Sequence, residues 1–193
     1  MCTITSRYRK ASTNNRSDET HQGIRRIAGK PTLRIIGIDP GLASVGYGII
    51  ESGGSDLHYL GHGCIVTRKE LEMGKRLLAL FAAISDLIEE WEPGVASMES
   101  LYFWKNVSSA LPVAEAKGVI RLAFARASVP LSDYSPTAIK QAVSGSARAE
   151  KGQVQEMVKL ILGLGEIPKP DHAADALAAA ICLANHEGPL ARL

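Results

Sequence analysis

The segment LRIIGIDPGLASVGYGII, residues 33 to 50, constrains the fold more than any other part of the chain. Leu33 to Asp39 is a nearly unbroken apolar run rich in Ile, the pattern of a central strand covered on both faces. The run ends on an acid, and Gly41, Gly46 and Gly48 follow within nine residues. Ligand sites in α/β sheets gather at the carboxyl ends of strands, so Asp39 is a candidate ligand-binding carboxylate. The glycines leave room for substrate backbone or the next strand to come close. Asp-Pro-Gly is also an ordinary turn signal, so Asp39 needs partners before it carries chemistry.

The remaining pattern supplies the rest of a layered domain. Ala43 to Glu51 and Leu57 to Thr67 read as two strands joined at SGGSD, an antiparallel hairpin. Leu77, Leu80, Phe81, Ile84, Leu87, Ile88 and Trp91 recur at spacings of three and four, which predicts a one-faced helix ended by Pro93 and Gly94. VASME reads as a strand ending at Glu99. Residues 106 to 127 read as a second long helix with Pro112 in its first turns. VPLSDYS supplies a fifth strand, and helical patterns follow from Pro136, from Glu150 to Leu162 and from Asp171 to His186. Strands alternating with helices after an initial meander predict an α/β domain with a mixed five-stranded sheet flanked by helices.

At 193 residues and 46% hydrophobic content the chain suits one globular unit, placed at residues 31–193. No apolar run approaches the ~20 residues needed to span a bilayer, and no secretory apolar block precedes the domain, so a cytoplasmic protein is expected. Cys2, Cys64 and Cys182 form no CxxC pair, which fits a reducing compartment. Of the 22 basic and 20 acidic residues, seven basic and two acidic fall in the first thirty, leaving +5 there and −3 in the rest. That Ser-, Thr-, Asn- and Arg-rich stretch lacks apolar periodicity and reads as a disordered basic extension over residues 1–30. A dispensable extension, a DNA-binding arm and an organellar transit peptide are all compatible with its composition.

Asp39 ends the first strand, Glu99 ends the fourth, and Asp175 lies in the first turns of the last helix. A cluster of these acids repels itself unless cations fill it. Hard divalent ions such as Mg²⁺ prefer carboxylate oxygens, and a pair about 3.5 to 4 Å apart activates water in phosphodiester hydrolysis. Singly, Glu99 reads equally as a solvated strand end and Asp175 as a partner of the helix dipole. His172 lies three positions before Asp175 on the same helix face, in DHAADALAAA, whose alanines allow close approach to the sheet. Asp171, after Pro170, reads as a helix cap. The phosphate loop of actin-like ATPases also places an Asp and a Gly after an apolar strand, but those proteins need two facing domains.

IIGIDPGLASVGYGII, MES with the aromatic cluster after it, GSARAEKGQVQ and HAADALAAA together resemble the RuvC Holliday junction resolvases, across roughly residues 33 to 184. The resemblance implies an RNase H-like fold, a homodimer and Mg²⁺-dependent paired nicking of four-way DNA junctions, with about two Mg²⁺ per site and Mn²⁺ able to substitute. It places Asp39, Glu99, His172 and Asp175 at the family's catalytic, metal-binding positions. Some members carry Asp where this chain has His172, and an imidazole suits softer ions such as Mn²⁺. Lys140 and Lys151 fall at basic positions near the scissile strand, and Arg148 is a further DNA-binding candidate from the same loop. Tyr102 falls at the aromatic wedge position, with Phe103 and Trp104 as rival stacking rings. The helix over residues 106 to 127, with small residues at Ala114, Ala116 and Gly118, is the expected dimer contact. A branch-migration complex of the RuvA–RuvB type is the implied partner besides junction DNA. The alternative reading is an RNase H-like nucleic-acid-binding module without cleavage activity, which has no reason to keep several acids where phosphates dock.

Overall fold

The computed structural model describes residues 3–8, 24–27, 30–53, 56–100 and 107–186. Its strands are β1 (Thr3–Tyr8), β2 (Ile24–Ile27), β3 (Lys30–Asp39), β4 (Ser44–Gly53), β5 (Asp56–Val66), β6 (Val95–Glu99) and β7 (Leu131–Tyr134). The helices are α1 (Met73–Trp91), α2 (Val107–Arg126), α3 (Pro136–Ser144), α4 (Lys151–Ile161) and α5 (Asp171–His186). Six strands run in the order β1-β5-β4-β3-β6-β7, and β2 pairs with β3 beside that path. β3, β4 and β5 form an antiparallel meander, while β6 and β7 continue the sheet parallel to β3. β3 to β7 are the expected mixed five-stranded sheet.

The first thirty residues depart from the expectation of disorder at two segments. β1 lies antiparallel along β5, from Thr3 opposite Val66 to Tyr8 opposite Gly61, and so covers the sheet edge that β5 would otherwise expose. β2 forms a short hairpin with β3, Ile24 opposite Leu33 and Ile27 opposite Lys30. The sheet therefore takes in chain from before residue 31.

Strand alternation divides the core into two. Ile36 and Ile38 of β3, Val45, Tyr47 and Ile49 of β4, and Ala96 and Met98 of β6 pack with Leu80, Ile84 and Leu87 of α1 and Ile120 and Phe124 of α2. The other face receives Ile35, Ile50 and Val95, covered by α3, α4 and the alanine-rich α5. Asp39 and Glu99, each even-spaced from the residues of that second face, point toward α5 rather than toward α1 and α2.

Local signals fix the helix ends that frame the site. Glu92 adopts φ 46° and closes α1, its N–H donating to the Ile88 carbonyl at 2.9 Å, with Pro93 next in the chain. Ser135 caps α3 by accepting from the Ala138 N–H at 3.1 Å, with Pro136 at the first helical position. At α4 the Gln153 side chain accepts the Glu150 N–H at 2.9 Å, half of a capping box.

Candidate active site

The close seat of α5 on the sheet is what assembles the site. A Cβ added at Gly46 would lie 1.9 Å from the His172 carbonyl oxygen, and one at Gly37 would lie 2.0 Å from that of Ala176. These two glycines, with Gly48 against Leu177, form a groove along β3 and β4 into which α5 sinks. Gly46 and Gly48 thus admit a helix rather than the substrate backbone or neighbouring strand that the sequence suggested, while a Cβ at Gly41 would meet the Ser44 carbonyl oxygen in its own turn. The alanines on the helix side do what the sequence suggested for them.

At the end of this groove Asp39 pairs in register with Gly46, directly beneath the first turn of α5. His172 Nδ1 lies 2.6 Å from Asp39 Oδ2. Asp39, His172 and Asp175 each offer a ligand atom, and these atoms all lie within 4.8 Å of one another. Asp39 is 16% exposed and His172 49%, so the group is buried on its sheet side and open on its helix side. Glu99 joins from the next strand. It lines a cleft of about 260 Å³ with Asp175, Lys140 and Lys151, floored by Ile139, Val154 and Ala178.

The two strand-end acids show the strain of this assembly. Burial pushes the Asp39 carboxyl up from its ordinary range, against the hydrogen bond from His172. Glu99 is pushed up to about 7, first by burial and then by the charges of Asp39 and Asp175. A folded-state value above the unfolded one means that stability falls as pH rises from about 4.5 to about 7, with the full penalty above that window. Glu99→Gln is therefore expected to stabilise the metal-free protein at pH 8. The whole shift corresponds to about 3 kcal/mol, and partial solvent access reduces this to about 1–2 kcal/mol. Thermal unfolding in EDTA at pH 8 and pH 5 checks this, because the gain should vanish at the lower pH. No gain at pH 8 would show that burial and the neighbouring acids do not disfavour the Glu99 charge as described.

Lys151 pairs with two acids of the last helix at this site. Its Nζ lies 3.0 Å from Asp175 Oδ2 and 3.3 Å from Asp171 Oδ2. Asp171, expected as a helix cap, is the first residue of α5 and has its carboxylate on this lysine. Lys140, from α3, reaches the same cleft. Arg148 is exposed in the turn between α3 and α4 and does not line the cleft. Tyr102, Phe103 and Trp104 lie outside the described residues.

Sequence reasoning passed over Lys117. This α2 lysine is only 7% exposed, and its Nζ donates to the Glu99 carbonyl at 2.8 Å and pairs with Asp133 Oδ1 at 3.1 Å. Nothing in the sequence distinguishes it from a solvated helical lysine; only the packing of α2 against β6 and β7 reveals it.

A mixed sheet with carboxylates at the ends of adjacent parallel strands, facing an acid and a histidine on the helix across them, is an RNase H-like fold with a divalent-metal type of site. Residues 35–183 match the family described as crossover junction endodeoxyribonuclease RuvC. A protein of that name from Treponema denticola is 52% identical over 164 residues, covering 84% of this chain and 92% of its own. Another, from Thermosipho melanesiensis, is 46% identical and covers 79% of this chain and 97% of its own. The chain belongs to the RuvC family of crossover junction endodeoxyribonucleases. Among solved structures, Thermus thermophilus RuvC in complex with a Holliday junction substrate superposes with a TM-score of 0.76 at 32% identity, covering 80% of this chain and 94% of that one. The yeast mitochondrial Holliday junction resolvase shares the fold, with a TM-score of 0.56 at 17% identity.

Proposed function

We propose that this chain resolves four-way DNA junctions by paired, divalent-metal-dependent nicking, with Asp39, Glu99, His172 and Asp175 as its metal-binding and catalytic side chains. The observation that carries this reading is the convergence of Asp39, His172 and Asp175 within 4.8 Å, beside a cleft that also holds Glu99. The donor set fits a hard or borderline divalent ion: carboxylates for Mg²⁺, with an imidazole that also accepts Mn²⁺. The raised Asp39 and Glu99 carboxyls are the groups that a cation would relieve. About two Mg²⁺ held by these four residues would supply a nucleophilic hydroxide at neutral pH and charge neutralisation at the scissile phosphate.

The chain's own residues do the rest. Asp39 fixes the His172 ring through Nδ1, so the imidazole presents a set orientation. Lys140 and Lys151 give the cleft two ammonium groups for phosphates flanking the cut. Lys151 holds Asp175 and Asp171 and is placed to exchange one carboxylate for a phosphate oxygen. Arg148, exposed at the neighbouring turn, and a stacking ring at Tyr102, with Phe103 and Trp104 as its rivals, complete the proposed DNA contacts. We place such an enzyme in the cytoplasm, alongside a branch-migration complex of the RuvA–RuvB type.

Two symmetric cuts require two sites, and α2 offers the surface for a homodimer. Leu111 and Leu122 are 60% and 59% exposed, and with exposed Gly118 they form a stripe at helical spacing. Ala116 lies on the opposite side, fully buried in the chain's own core, and is not available for the contact that its small size suggested. Leu122→Glu is expected to give a monomer by sedimentation and to uncouple the two cuts, so that nicked junctions accumulate. A variant that stays dimeric, or cuts both strands together as a monomer, would place the interface elsewhere.

The decisive assay for the activity compares a labelled four-way junction with a linear duplex of the same sequence, with Mg²⁺ and with EDTA. Symmetric nicks in the junction alone, dependent on Mg²⁺, are expected. Tight junction binding without cutting would instead favour the binding-module reading, and equal cutting of the duplex would remove the junction from the assignment.

A further inference from the structure

The Lys117 ammonium lies on the far side of the sheet from α5. Met98 and Asp133 are paired in the parallel register of β6 and β7, and Glu99 follows opposite Tyr134. Lys117 reaches up from α2 to the main-chain carbonyl of Glu99 and to one oxygen of Asp133. Arg121, one turn further along α2, holds the other Asp133 oxygen at 2.5 Å. The Ser100 N–H, directly after β6, donates to the Tyr134 carbonyl of the neighbouring β7 at 2.8 Å. The final peptide of β6 is therefore fixed from two directions, by β7 beside it and by an ammonium beneath it.

A charge in this place is not what stability alone would select. An ammonium loses its hydration on burial, and a well-packed apolar side chain of similar length would fill the space with less desolvation penalty. What the apolar residue could not do is hold a carbonyl oxygen at 2.8 Å. The residue whose carbonyl is held carries the carboxylate that faces the cleft on the other side.

We propose that Lys117 is a positioning residue for the metal site: it anchors the backbone of Glu99 from the α2 face so that the Glu99 carboxylate is held at the cleft. This rests on Glu99 being a metal-binding residue. A carboxylate on the last residue of a strand, next to acids that repel it, otherwise has every reason to swing toward solvent. Its backbone anchor sets where that swing begins.

The test uses the full chain and Mn²⁺ as the probe, titrated calorimetrically without DNA, together with the Mg²⁺ concentration giving half-maximal junction nicking. Lys117→Met keeps length and apolar packing but removes the donor. It is expected to weaken Mn²⁺ binding about tenfold and to raise the Mg²⁺ requirement in parallel, with junction affinity in Ca²⁺ little changed. Lys117→Arg restores a donor and should recover most of the affinity. Ile120→Ala, a buried substitution on the same helix, should lower the unfolding temperature while leaving Mn²⁺ affinity as it was. Unchanged Mn²⁺ binding in folded Lys117→Met, or an equal loss in Ile120→Ala, overturns the proposal. Should Lys117→Met fail to fold, Asp133→Asn loosens the same ammonium, and wild-type Mn²⁺ affinity in that variant overturns it equally. Glu99→Gln separates the two levels. If it binds Mn²⁺ like wild type, Glu99 is not a ligand and both readings fall; if it binds weakly while Lys117→Met does not, only the role of Lys117 falls.

Discussion

Asp175→Asn is expected to abolish junction nicking while leaving junction binding in Ca²⁺ intact or slightly tighter. The substitution preserves shape and keeps an oxygen within reach of Lys151, so α5 and the cleft should stay folded. It removes one full negative charge from a group whose three ligand atoms lie within 4.8 Å. Metal-borne stabilisation of the transition state amounts to several kcal/mol, so loss of one ligand should cost on the order of 10³-fold in rate. Binding should not suffer, because DNA is a polyanion and the lost charge repelled it. The measurement pairs a single-turnover cleavage assay in Mg²⁺ with a binding titration in Ca²⁺. Parental cutting by Asp175→Asn would remove this residue from the catalytic set, and a parallel loss of binding would show that it acts through the fold instead.

How far the sequence discloses such a site depends on whether the signal is local. β6 and α5 have the bounds that their patterns predict, Val95–Glu99 and Asp171–His186, because an apolar run and an alanine-rich period each report their own burial. Asp39, Glu99 and Asp175 were legible as acids at strand ends and in a first helical turn. β1 and β2 were not, since TITSRY and IRRI gain their structure from pairing with β5 and β3 and carry little apolar periodicity of their own. Lys117 was illegible for a related reason. Residue type favours a solvated lysine, and its burial depends on how α2 lies across β6 and β7, a relation between segments distant in sequence. The glycines fall between these cases. Their presence announced a close approach, but their sequence could not say that the approaching element begins more than a hundred residues later.

Gly46→Ala is expected to destroy the site from underneath, although no reactive atom changes. The added Cβ would sit 1.9 Å from the His172 carbonyl oxygen and 2.3 Å from its carbon. These are backbone atoms of a helix, so no flexible side chain can yield. Either β4 or α5 must move by more than 1 Å. Forced overpacking of this kind costs about 3 kcal/mol or more, which for a chain of this size lowers the unfolding midpoint by about 10 °C. The displacement falls on the turn that carries His172 and Asp175, while Asp39 remains on β3, so the ligand atoms separate. A misplacement of about 1 Å can cost on the order of 10²-fold in rate even when the fold survives. Gly152→Ala is the matched control, because a Cβ there meets nothing within 4 Å and sits at the start of α4. It should be neutral or stabilising by about 0.5–1 kcal/mol. Unfolding and Mn²⁺ titration of both variants decide the matter. If Gly46→Ala keeps the parental midpoint and Mn²⁺ affinity, the helix is not held against β4 as closely as described, and the glycine groove is not what brings His172 and Asp175 to Asp39.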